Sequence, residues 1–172
     1  MKAERNLVKT KTIKFIGYSG SGKTTLIEKI VKKLSDEGVR VATIKHDVHG
    51  LDIDKEGKDS YRYSEAGAQV SAVSSPEMTV YKIHKSLSLD EIISNVKDVD
   101  FIIVEGYSSD GKLPTISVAR KETGKGVKGD LDSLVAVVSD YNEHELKDLG
   151  YKGQAFKLND IERIIEFIRG DI

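Results

Sequence analysis

Gly17-Tyr18-Ser19-Gly20-Ser21-Gly22-Lys23-Thr24 satisfies the pattern Gly-x4-Gly-Lys-Ser/Thr at every position. Glycines in such a run permit a tight turn, so that successive backbone N–H groups point at phosphate oxygens. Lys23 then reaches the outer phosphates, Thr24 offers its hydroxyl to Mg²⁺, and the helix that follows adds its positive end. What separates this loop from an ordinary glycine-rich turn is its setting. Thr12 to Tyr18 carries Ile13, Phe15 and Ile16, which predicts a strand before it. Lys23 to Glu37 carries Leu26, Ile27, Ile30, Val31 and Leu34 at helical spacing, which predicts a helix after it, stopped by Gly38. The candidate nucleotide-binding residues are therefore Gly17, Ser19, Gly20, Ser21, Gly22, Lys23, Thr24 and Thr25.

The rest of the chain continues the alternation. Strands are predicted at Val39 to Ile44, Gln69 to Val73, Met78 to Ile83, Asp100 to Glu105, Thr115 to Ala119 and Leu134 to Val138. Helices are predicted from Asp59 to about Gly67, from Ser88 to about Asn95, and from Asp160 onward. Ser88 with Glu91, and Asn159 with Glu162, have the spacing of capping boxes. This order predicts an α/β fold with a mostly parallel sheet. The unbroken run Phe101-Ile102-Ile103-Val104 suits a strand covered on both faces. Pro114 cannot donate a ladder hydrogen bond, so Lys112 to Arg120 is expected at a sheet edge, open to pairing with a second copy. No repeat or linker divides the chain, and residues 1–172 are expected to form one nucleotide-binding domain.

Composition narrows the function. With 27 Lys+Arg against 28 Asp+Glu, the net charge of -1 disfavours a dedicated nucleic-acid binder. The absence of cysteine excludes disulfide scaffolds and thiol chemistry. No apolar run approaches the ~20 residues of a membrane helix, and Met1 to Lys11 lacks a signal-peptide core, so a cytoplasmic protein is expected.

A magnesium nucleotide site also needs a carboxylate opposite the loop. Glu105, at the carboxyl end of the buried run, is where open α/β sheets present groups to ligands. Asp59 is a second candidate metal ligand, although helix capping explains it equally well. Asp52 and Asp54 lie in an acidic loop and are expected to be solvated. His46 and His49 have ligand-like spacing but no further clear ligands for zinc. The three lysines from Lys121 to Lys128 are expected in a solvated loop.

Beyond the loop, Thr43-Ile44-Lys45-His46, Asp52 through Ser60-Tyr61-Arg62, Ala66-Gly67-Ala68, Val104-Glu105-Gly106-Tyr107 and Pro114 with Ile116 to Arg120 follow in order. From about Ile13 to Asp140 the chain resembles the molybdopterin-guanine dinucleotide biosynthesis protein B (MobB) family. The resemblance implies a P-loop NTPase-like three-layer fold with a mostly parallel sheet and an added β-ribbon that contributes to a homodimer contact. It implies GTP and Mg²⁺ as ligands, weak GTPase activity at most, and an accessory role in making the molybdenum guanine dinucleotide cofactor. It also implies a MobA-like nucleotidyltransferase as partner, with molybdopterin as a second. The chain is similar, too, to P-loop proteins that include dethiobiotin synthetase, where an acid in a Glu-Gly turn binds Mg²⁺. That similarity supports Glu105 and Asp59, and makes a small-molecule kinase or ligase the alternative function.

Catalytic residues are not readable. Arg40 opens a strand away from the expected site, Arg62 lies on the helix after Asp59, and Arg120 follows the expected edge strand. No glutamine adjoins the Glu105-Gly106 turn to orient water.

Overall fold

The computed structural model describes residues 10–46 and 55–170. The chain divides into two compact units, Met1–His46 with Val96–Ile172, and Asp47–Asn95.

The first unit holds β1 (Lys11–Ile16), α1 (Lys23–Asp36) and β2 (Val41–Lys45). The second unit contributes α2 (Asp59–Glu65), β3 (Val70–Ser74), β4 (Thr79–Ile83) and α3 (Leu89–Asn95). The first then resumes with β5 (Phe101–Glu105), β6 (Thr115–Ala119), β7 (Leu134–Ser139), α4 (Glu143–Asp148), β8 (Ala155–Lys157) and α5 (Ile161–Gly170). Its six strands are ordered β2-β5-β1-β6-β7-β8, and every pairing is parallel.

Alternation along the strands builds the core. Ile13 and Phe15, Phe101 and Ile103, Ile116 and Val118, and Ala136 and Val138 meet Leu26, Ile27, Ile30 and Leu34 of α1 and Ile164, Ile165 and Ile168 of α5. The stripe predicted for α1 is thus the buried one, and each such side chain contributes about 1.5–3 kcal/mol. A second cluster joins Ile16, Leu134 and Val137 to Leu146 of α4 and to Tyr151. Lys14, between Ile13 and Phe15, is only 2% exposed. Its ammonium donates to the backbone carbonyls of Tyr107 and Asp110, so one side chain of β1 fastens the segment that follows β5. Burial lowers the Lys14 pKa, and Asp110 partly opposes that shift.

Two expectations need correction. Thr115–Ala119 is not an edge strand: β6 lies between β1 and β7 and is buried throughout. Pro114 sits just outside the strand, where its carbonyl accepts from Lys14 N–H at 2.9 Å and its missing donor costs nothing. Pairing with a second copy along this strand is therefore excluded. Asn159 does not cap α5; its Oδ1 accepts from Lys29 Nζ of α1 at 3.0 Å, and Glu162 lies 3.7 Å from Lys33. The 121–129 loop is solvated as expected, with Lys121 and Lys125 exposed, and it is tethered at both ends. Lys121 N–H donates to Asp140, its ammonium meets Glu145 at 2.6 Å, and Lys128 N–H donates to Ser117 Oγ.

In the second unit, Ser88 and Glu91 form the expected capping box. Ser88 N–H donates to Glu91 Oε2 at 2.8 Å, and Glu91 N–H donates to Ser88 Oγ at 3.2 Å. β3 and β4 form an isolated antiparallel ribbon closed by a Ser75 N–H to Met78 carbonyl bond. Its register puts Val70, Ala72, Tyr81 and Ile83 on one face, and Val70, Tyr81 and Ile83 are all exposed.

Candidate functional site

The loop from Gly17 to Gly22 joins the end of β1 to the start of α1. Close packing and backbone sign both demand glycine at its ends. A Cβ on Gly17 would lie 2.3 Å from the Val118 carbonyl and 2.7 Å from Ser21 Oγ. Gly22, with φ of 85°, occupies the left-handed region where side chains are strained. It precedes α1 with no side chain capping the helix, and α1 has no acid in its first turn. The N–H groups of Lys23, Thr24 and Thr25 therefore precede the first helical bond, from Leu26 N–H to the Gly22 carbonyl. Ser21 Oγ is buried with no partner among the described residues. Ser19 and Gly20 form the exposed crest of the turn. Such a cradle of donors suits an anion.

Lys23 closes over the cradle, its ammonium donating to the carbonyls of Gly17 at 2.9 Å and Tyr18 at 3.0 Å. Burial lowers its pKa; Glu105 pulls it upward, while Lys128 and Lys45 push it down. These influences identify a cationic surround of three lysines with one carboxylate.

Glu105 ends β5, the neighbour of β1, and accepts a hydrogen bond from the Thr24 hydroxyl at 3.1 Å. The predicted end of β5 and start of α1 thus bring these two groups together. Gly106 and Tyr107 both take positive φ and turn the chain sharply after the acid. His46 packs against this turn: its N–H donates to the Glu105 carbonyl at 3.0 Å and its ring lies 4.5 Å from that of Tyr107. A groove of about 280 Å³ beside the acid is lined by residues including Thr24, Thr43, Lys45 and Glu105. An all-oxygen pair of one hydroxyl and one carboxylate fits Mg²⁺, which keeps waters and phosphate oxygens as its other ligands. Among the described residues no group of three or more His, Asp or Glu is placed to hold a metal by itself.

Asp59 belongs to the second unit, where it opens α2 and faces Arg62 at 3.6 Å. It is the first helical residue rather than the cap, which is Lys58. Asp52, Asp54 and His49 lie outside the described residues.

Two groups escaped the sequence reading. Arg120 lies against the phosphate loop: a Cβ on Gly22 would sit 3.5 Å from its Nε. Lys125 and Lys128 both place their ammonium groups 5.6 Å from the Tyr18 ring. The signal that could have found them is strand order, because a strand beside β1 delivers its C-terminal residues to the same loop.

The family model for molybdopterin guanine dinucleotide synthesis protein B matches residues 12–140. The molybdopterin-guanine dinucleotide biosynthesis adapter protein of Haemophilus influenzae is 34% identical over 156 residues, covering 88% of this chain and 84% of that protein. The adapter protein of the same description from Escherichia coli is 32% identical over 162 residues, covering 90% of this chain and 89% of that one. Among solved structures, the crystal structure of Bacillus subtilis MobB superposes with a TM-score of 0.72 at 26% identity, covering 93% of this chain and 99% of that one.

Proposed function

Because the chain belongs to the molybdopterin guanine dinucleotide synthesis protein B (MobB) family, we propose that it is a GTP-binding accessory factor in molybdenum guanine dinucleotide cofactor biosynthesis. The observation that carries this reading is the complete phosphate loop whose Thr24 hydroxyl meets Glu105 at 3.1 Å. Guanine in the family's description supports GTP as the nucleotide. Residues 1–172 act as one nucleotide-binding domain. The N–H groups of Gly20 to Thr25 and the Lys23 ammonium bind the phosphates, and Lys23 exchanges its two carbonyl partners for phosphate oxygens. Thr24 and Glu105 hold Mg²⁺. When bound, the metal neutralises charge on the β- and γ-phosphates.

The partner is a MobA-like nucleotidyltransferase, with molybdopterin as the small molecule handed on. No helix among the described residues is long and apolar enough to cross a membrane. The family resemblance supports a homodimer joined through the β3–β4 ribbon. A two-stranded ribbon is marginal alone, and the exposed face of Val70, Tyr81 and Ile83 gains by being covered. Light scattering at high concentration is expected to give twice the chain mass. Tyr81→Asp should give a monomer; a monomeric parent would end the dimer proposal.

Hydrolysis by the protein alone is expected to stay below about 1 per minute, because no glutamine adjoins Gly106 to orient a water. Phosphate release from GTP, with and without the purified nucleotidyltransferase, tests the accessory role. Turnover at tens per second by the isolated chain would favour a self-sufficient enzyme instead.

A further inference from the structure

Arg120 leaves the end of β6 on the flank of the phosphate loop opposite Glu105. β1 lies between β5 and β6, all three run parallel, and Ser117 of β6 is level with Ile16 of β1. Residues just after Ser117 therefore stand level with the loop itself, and the Val118 carbonyl indeed presses on Gly17. The backbone of Arg120 is fixed there: its carbonyl accepts from both the N–H and the hydroxyl of Thr123, at 3.1 and 2.8 Å. Its guanidinium lies along Gly22, with Nε, Cζ and Nη2 all within 3.7 Å of where a Cβ would be.

Three features set this arginine apart from an ordinary surface cation. Its Nε is buried and has no hydrogen-bond partner among the described residues. Its ion-pair contact with Glu122 is long, 4.0 Å, and that glutamate is 86% exposed. A buried guanidinium nitrogen without an acceptor is costly, so its retention beside a cradle of N–H donors calls for an anionic acceptor. The two flanks of the loop are also chemically opposite, a carboxylate on the β5 side and a guanidinium on the β6 side.

We infer that Arg120 is a nucleotide-binding residue that neutralises phosphate oxygens on the flank away from the magnesium carboxylate. This deepens the proposed GTP-binding reading and rests on it. The division of labour follows from position. Glu105 with Thr24 serves the metal, which needs the outer phosphates. Arg120 serves oxygens close to Gly22 that a diphosphate also carries, so it tightens GDP and GTP alike and does not need Mg²⁺. Arginine suits the task because its planar fork stays charged at every working pH and can bond two oxygens at once.

The test uses the full-length protein with GTP and GDP, each titrated by calorimetry in Mg²⁺ and in chelator. Arg120→Gln keeps a polar N–H donor beside Gly22 but shortens the side chain and removes the charge. It is expected to weaken both nucleotides by about 10- to 100-fold, and by similar factors in the two buffers. Arg120→Lys should recover part of the loss, and the ligand-free melting temperatures of both variants should match the parent. Unchanged GDP affinity in a well-folded Arg120→Gln protein would overturn the inference and leave a packing role. A loss confined to GTP turnover, with both affinities kept, would overturn it in favour of a rate-only role. If the parent itself fails to bind, and Lys23→Ala does no worse, the nucleotide reading falls with it. Binding that is lost in Lys23→Ala but kept in Arg120→Gln removes only the role of Arg120.

Discussion

Lys23→Ala is expected to abolish measurable GTP binding while leaving the fold intact. The ammonium sits at the mouth of the loop and bonds only to the carbonyls of Gly17 and Tyr18 among the hydrogen bonds of the described residues. Its removal therefore takes little packing from the core, whose α1 contribution comes from Leu26, Ile27, Ile30 and Leu34. Bonds from an ammonium to phosphate are charge-assisted and worth about 1.5–3 kcal/mol each. Loss of two such bonds weakens binding by about 10²–10⁴-fold. Partial burial already lowers the Lys23 pKa, and a bound triphosphate would hold the amine firmly protonated. Calorimetric titration with GTP, alongside a thermal melt, measures both halves of the prediction. Equal GTP affinity in the variant would remove the phosphate-loop assignment.

Glu105→Gln should act differently, and the difference depends on the metal. The amide keeps an oxygen that can accept from the Thr24 hydroxyl, so the local hydrogen bond at 3.1 Å can persist. What disappears is the negative charge that attracts Mg²⁺. Even partners behind a metal's direct ligands carry about 10–100-fold in metal affinity, and a direct ligand should carry no less. In chelator the sign reverses: without the metal, a carboxylate facing a triphosphate repels it, so the variant should bind GTP as tightly as the parent or more tightly. Titrations of GTP in Mg²⁺ and in chelator separate the two effects. Equal losses under both conditions would make Glu105 a structural residue.

How much of this was legible in the sequence depended on whether the signal was local. The β1–loop–α1 unit is local: its spacing places Leu26, Ile27, Ile30 and Leu34 on one stripe, and all four are buried. Phe101 to Val104 is local as well, and its unbroken apolar run is covered on both faces. Glu105 followed from the end of that run. Strand order is not local. Pro114 suggested an edge, yet it lies just before β6, which the fold places beside β1. That one misplacement also hid Arg120, since a residue after an edge strand has no reason to meet the phosphate loop.

Short elements were lost for a different reason. β8 spans three residues and α4 six, too few to display a period, although Asn142 with Glu145 has capping-box spacing. Lys14 shows how tertiary contacts override an alternation pattern. A lysine inside a strand reads as solvent-facing, yet here the chain after β5 folds over it and offers two carbonyls.

The central claim, that this loop and its flanking acid hold a magnesium–guanosine triphosphate, is tested most directly by calorimetry on the unmodified protein. GTP, ATP, GDP and ADP would each be titrated in Mg²⁺ and in chelator. The account predicts one site per chain, GTP bound at least about tenfold more tightly than ATP, a difference of roughly 1.4 kcal/mol, and GTP tighter in Mg²⁺ than in chelator. Absence of triphosphate binding, or a site that prefers ATP, would contradict it.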